Sequence, residues 1–99
     1  MNREQRLFAL RGACRCLNEE GDLGNQVCAL YDELLERNGL EETDLVSIIF
    51  SMTEDLDVKN PAAALRQAGR AREAALFVTQ EARVRGSLER TIRVLIHCY

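Results

Sequence analysis

Long apolar runs are missing from the sequence, and none approaches the roughly 18 residues that a membrane-spanning helix needs, so no membrane partner is expected. The opening Met1-Asn2-Arg3-Glu4-Gln5-Arg6 is polar and has no apolar signal core, which makes the cytoplasm the expected compartment. Histidine occurs once, at His97. The four cysteines, Cys14, Cys16, Cys28 and Cys98, form no Cys-x-x-Cys pair, so a metal site is poorly supported and buried free thiols are the better reading. His97 and Cys98 are adjacent, but neighbours on a strand point to opposite faces, which argues against a thiol-imidazole nucleophile. An excess of positive charge is lacking too: 13 basic against 16 acidic residues give a net charge of −3, which argues against nucleic acid as a partner.

What is present is the composition of a soluble globular chain, 46% apolar and 29% charged over 99 residues, enough for one domain spanning residues 1–99. A core of this size gains from oligomerisation. No internal repeat, linker or low-complexity segment interrupts it. Acidic residues prevail from Leu17 to Asp57, whereas Arg66, Arg70, Arg72, Arg83, Arg85, Arg90 and Arg93 dominate the C-terminal part, and Lys59 is the only lysine. Arginine's planar fork pairs with carboxylates and phosphates, so this preference fits recognition of an anionic small molecule; GC-rich codon usage would produce it equally well.

In chain order, Arg6 to Ala13 reads as a first strand ended by Gly12. From Leu23 to Arg37, apolar residues at Leu23, Val27, Leu30, Tyr31, Leu34 and Leu35 recur every three or four positions, an amphipathic helix with Asp22 as its cap and Asn38-Gly39 as its stop. Asp44 to Met52 is β-rich and too continuous for an exposed edge, which predicts a central strand followed by a loop at Thr53-Glu54-Asp55-Leu56. Asn60-Pro61 opens a short helix that Gly69 ends. Ala74 to Thr79 and Arg90 to Tyr99 make two further strands. The interleaved order predicts an α/β or α+β domain, a mixed β-sheet with helices on one face.

The stretch from Thr79 to Arg93 concentrates the chemistry. It holds a carboxylate, Glu81, at the end of one apolar run and a guanidinium, Arg93, inside the next, and a turn at Arg85-Gly86-Ser87 would bring them together. Unpaired buried ions are strongly disfavoured, so Arg93 either serves as a buried or ligand-facing charge that is being used or points into water from a one-sided sheet.

Several polar residues in fixed order now carry a resemblance: Arg11-Gly12-Ala13 ending the first strand, Ser51-Met52-Thr53-Glu54-Asp55-Leu56 after the second, Pro61-Ala62 and Arg66 on the short helix, Gln80-Glu81, and Ile92-Arg93-Val94 on the last strand. Together they resemble the monofunctional, Bacillus-type chorismate mutases of the AroH class, from about Arg6 to His97. The resemblance implies a homotrimer, a pseudo-barrel of sheets packed around a threefold axis with three active sites between neighbouring subunits. It implies the pericyclic rearrangement of chorismate to prephenate in phenylalanine and tyrosine biosynthesis, with no nucleophile, metal or cofactor. By that likeness Arg93 directs its guanidinium at the ether oxygen, Glu81 accepts a hydrogen bond from the ring hydroxyl, and Arg11 binds the enolpyruvyl carboxylate. Arg66 comes from the adjoining subunit near the mouth, and Ala62, Val78 and Thr79 belong to the substrate-binding wall.

The sequence departs from the family pattern at several wall positions. An aromatic residue is usual where Asn60 stands, a lysine where Ala63 stands and a cysteine where Val78 stands. Such chains continue into a tail bearing a tyrosine that helps hold a substrate carboxylate, whereas this sequence ends at Tyr99; the expectation is weaker capture of substrate unless Tyr99 takes that role. Two other readings remain. One is a catalytically weak or inactive trimeric relative that binds an anionic metabolite or a partner enzyme, and the other is a small trimeric deaminase-like protein of similar architecture.

Overall fold

The computed structural model describes residues 6–99, so the polar segment Met1 to Gln5 lies outside the described residues. Four strands form one mixed sheet: β1 (Phe8–Arg15), β2 (Leu45–Met52), β3 (Ala75–Gln80) and β4 (Thr91–Cys98), in the spatial order β1-β4-β2-β3. β4 runs antiparallel to both β1 and β2, and β2 runs parallel to β3. The parallel pair needs a crossover, which helix α2 (Pro61–Gln67) supplies; the longer helix α1 (Glu20–Arg37) joins β1 to β2. Among the described residues, no helix is long and apolar enough to cross a membrane.

Both helices lie on the same side of the sheet, because side chains alternate along each strand and only one set is apolar throughout. Ile48 and Phe50 of β2 and Ile92, Val94, Ile96 and Cys98 of β4 are buried there against Leu23, Val27, Leu30 and Tyr31 of α1 and Leu65 of α2. Each fully buried side chain of this size contributes about 1.5–3 kcal/mol. Both helices end alike. Gly39 and Gly69 take φ of +61° and +79°, and in each case the amides there and one residue on bond back to the last-turn carbonyls. A left-handed residue closing a helix in this way suits glycine, which has no β-carbon to clash.

The central strand and the interleaved helices agree with the sequence reading, but several boundaries move. Gly12 does not end β1; it pairs with Val94 in mid-strand. A β-carbon there would lie 3.0 Å from the side chains of both Leu30 and Leu34, so the glycine lets α1 approach the sheet. Asp22 is not the cap of α1, which begins at Glu20 after Glu19; its carboxylate accepts from the Leu17 amide at 2.7 Å instead. Asp44 belongs to a 3₁₀ turn (Glu42–Asp44) preceding β2. Asn60 does cap α2, its Oδ1 accepting from the amides of Ala62 and Ala63 at 2.8 and 3.1 Å. All four cysteines are free thiols; Cys16 and Cys98 are buried, and Cys14 and Cys28 are half-buried. Burial, then the neighbouring Cys16 and Asp22, pushes the Cys14 thiol up to about 11.

Candidate active site

The sheet face away from the helices carries three rows of side chains, set by the strand register. Arg11, Leu95, Ile49 and Phe77 form one row. Ala13, Arg93, Ser51 and Thr79 form the next, and Ala9, His97, Ser47 and Ala75 flank the first on its other side. The polar residues at Ser47 and Ser51, four apart with Ile49 between them, mark this face on an otherwise apolar strand. Phe77 is 65% exposed on it. His97 Nδ1 lies 3.1 Å from Ser47 Oγ, on the face opposite buried Cys98.

Glu81 leaves the end of β3, where its amide donates to the Met52 carbonyl at 2.8 Å. That bond carries the chain past the end of β2 and turns the Glu81 side chain back over the bare face. Its Oε1 accepts from Arg93 Nε at 2.9 Å and from Ser51 Oγ at 3.1 Å. Arg93 is therefore neither buried nor simply solvated. It is paired, with 48% of its side chain exposed against 18% for Glu81. The connecting turn falls at Val84–Ser87, where the Ser87 amide donates to the Val84 carbonyl at 3.1 Å.

The loop is then pinned before β4 begins. Arg90, at φ +45°, donates its amide to both carboxylate oxygens of Asp55 at 3.2 and 3.0 Å. Left-handed backbone is costly for a residue with a β-carbon, and this contact holds it there. The hydroxyl of Thr53, then the Arg90 amide, holds the Asp55 carboxyl below the usual carboxylate range.

The remaining predicted residues fall into two groups. Arg11 and Thr79 share the bare face with Arg93, Arg11 lying diagonally across the β1–β4 pair from it. Ala62 and Val78 pack against the core on the helix side. Arg66, on the last turn of α2, donates Nε and Nη2 to the carbonyls of Ala71 and Ala74 at 3.2 and 2.7 Å, fastening the crossover to the start of β3. One chain thus joins Glu81 to Arg93 but does not bring the α2 residues onto the same face. A cleft of about 370 Å³, lined by Met52, Thr53, Leu56, Asn60, Val78 and Thr79, opens beside the ends of β2 and β3. A second, of about 350 Å³, lies between Glu81, the turn and Thr53-Glu54-Asp55. Ser51 is the residue whose part sequence reasoning missed: its place beside Glu81 needs the β2–β3 register, although its parity with Ser47 was visible.

These features define an α+β domain with one bare sheet face and a paired carboxylate and guanidinium at its strand ends. The family model described as chorismate mutase type I matches residues 7–99, and the chain belongs to that family. It is 45% identical over 64 residues to chorismate mutase AroH of Thermus thermophilus, a match covering 64% of this chain and 52% of the relative. It also superposes on a chorismate mutase from Clostridium thermocellum with a TM-score of 0.86 and 42% identity, over 92% of this chain and 81% of that one.

Proposed function

We propose that the protein is a chorismate mutase acting in the cytoplasm, converting chorismate to prephenate for phenylalanine and tyrosine synthesis. The observation that carries this reading is the Glu81–Arg93 pair. Arg93 is engaged through Nε alone and Glu81 through Oε1 alone, so among the described residues both Nη atoms and Oε2 are left for a ligand. In a concerted rearrangement the enzyme supplies orientation and charge complementarity. Arg93 Nη donates to the ether oxygen as the carbon-oxygen bond breaks and negative charge gathers there. Glu81 Oε2 accepts from the ring hydroxyl and fixes the ring, while Arg11, on the same face, binds the enolpyruvyl carboxylate.

The working form is a homotrimer with its sites between subunits. Two features support it. The apolar row Ile49, Phe77 and Leu95 is uncovered on the bare face, and Ala62 and Arg66 sit away from Glu81 and Arg93 within one chain. A neighbouring α2 would supply Arg66 at the mouth and Ala62 to the wall, and Val78 and Thr79 of β3 would complete that wall.

Purified protein should abolish the ultraviolet absorbance of chorismate and produce prephenate. No loss at high protein concentration would overturn this reading in favour of an inactive relative that only binds an anionic metabolite or a partner enzyme.

A further inference from the structure

We infer that Ser51 is a positioning residue for this reaction: its hydroxyl fixes the Glu81 carboxylate so that Oε1 holds Arg93 and Oε2 faces the substrate. The inference rests on the chorismate mutase reading above and gives a task to a residue which that reading does not use.

A glutamate reaching out from the end of a strand has three side-chain torsions, and a single ion-pair contact leaves the carboxylate free to rotate and exchange its oxygens. Arg93 alone is such a contact. It touches Glu81 through one nitrogen, and nearly half of its own side chain is in water. A second donor on the same oxygen removes that rotation, provided the donor itself is rigid. Ser51 meets the condition: its side chain is short, and its backbone lies in mid-sheet, opposite Arg93 on one side and Thr79 on the other. Two donors converge on Oε1, at 2.9 and 3.1 Å, and no described residue donates to Oε2. The carboxylate is thus polarised into a structural oxygen and a ligand oxygen. Losing the serine hydroxyl leaves the charge of Glu81 and Arg93 intact but lets the acceptor wander, which costs orientation at the reacting ring rather than capture of the dianion.

Three substitutions test this: Ser51→Ala, Ser51→Thr and Ser51→Val. Threonine and valine are nearly isosteric and both suit a strand, so they differ at this site chiefly in the hydroxyl. With circular dichroism and sedimentation unchanged, Ser51→Ala and Ser51→Val should lower kcat roughly ten- to a hundredfold with KM within about twofold, while Ser51→Thr stays within about threefold of the parent. Should the alanine variant fold poorly, the threonine-to-valine ratio decides the matter alone. An active parent with Ser51→Val equal to Ser51→Thr in kcat would overturn the inference and leave the chorismate mutase reading standing. An effect confined to KM would do the same. A parent that does not convert chorismate would overturn both.

Discussion

In the proposed reaction Arg93 is worth little to the fold and much to the chemistry. With nearly half of the Arg93 side chain in water and Ser51 still donating to the Glu81 carboxylate, the pair contributes about 0–1 kcal/mol to stability, because solvent hydrates the guanidinium and screens the attraction. In the proposed assembled site the same guanidinium would face an ether oxygen gaining charge, where one well-placed, preorganised donor is worth about 3–4 kcal/mol. Arg93→Ala should therefore fold and assemble normally yet lose two to three orders of magnitude in kcat, roughly the rate equivalent of that energy. Arg93→Lys should recover only part, since a lone ammonium cannot reach Glu81 and the ether oxygen through separate nitrogens of one rigid fork. Steady-state rates on the three proteins check this; full activity in Arg93→Ala at unchanged oligomeric state would make the residue an ordinary surface charge.

Among the elements, the 3₁₀ turn Glu42–Asp44 does more than lead into β2. The Glu42 carboxylate accepts from the Tyr31 hydroxyl of α1 and from the Ala71 amide at 2.6 Å, where Ala71 sits at φ +54° between α2 and β3. It ties the long helix to the crossover that Arg66 also fastens. The Tyr31 hydroxyl, then the Ala71 amide, holds the Glu42 carboxyl below its ordinary 4.5, while burial and that same bond push the Tyr31 phenol up. A carboxyl depressed by folding binds fewer protons in the folded state, so its stabilisation is complete above the unfolded value and disappears as pH falls through the folded one. Denaturant unfolding of Glu42→Gln should show lower stability than the parent at pH 7 and a smaller further loss below about pH 4.5. Asp32, lowered chiefly by its bonds to Arg70, leaves part of the acid sensitivity in place; curves for parent and variant that stay parallel down to pH 3 would remove Glu42 from the account. The elements themselves were largely readable, because apolar period and turn residues are local signals: Asn60-Pro61 and the glycines at 39 and 69 punctuate the helices as the sequence suggests. Gly12 misled because an interior glycine admitting Leu30 and Leu34 looks the same in sequence as one ending a strand. The start of α1 was missed because its first turn has no apolar stripe. Strand order and the Ser51–Glu81 contact depend on pairings far apart in the chain, which no local pattern encodes.

At the scale of the whole molecule, the proposed trimer makes a claim that substitutions in separate chains can test. Arg93 and Glu81 lie on the bare sheet face, whereas Arg66 lies on α2 beside the Ala71–Ala74 connection, so a site using all three draws on two copies of the chain. Closed threefold symmetry gives three identical interfaces, each joining the sheet face of one subunit to the α2 side of the next. Sedimentation equilibrium should return three chains, and Phe77→Asp should break the assembly and with it activity, since a charge would be placed in the apolar row with Ile49 and Leu95. The sharper experiment mixes two weakened proteins, Arg93→Ala and Arg66→Ala, each shown by circular dichroism to be folded. Unfolded together and refolded at equal concentration, they should assemble at random, and about a quarter of the interfaces would then pair an intact Arg93 with an intact Arg66 from its neighbour. Activity should rise well above that of either protein refolded alone, toward about a quarter of the parent rate. Sites built within one chain would gain nothing from mixing, because every chain present lacks one of the two arginines. A mixture no faster than the mean of its components, or a stable monomer that converts chorismate, would put the whole site inside one subunit and require Arg66 to act only on the Ala71 and Ala74 carbonyls it already holds.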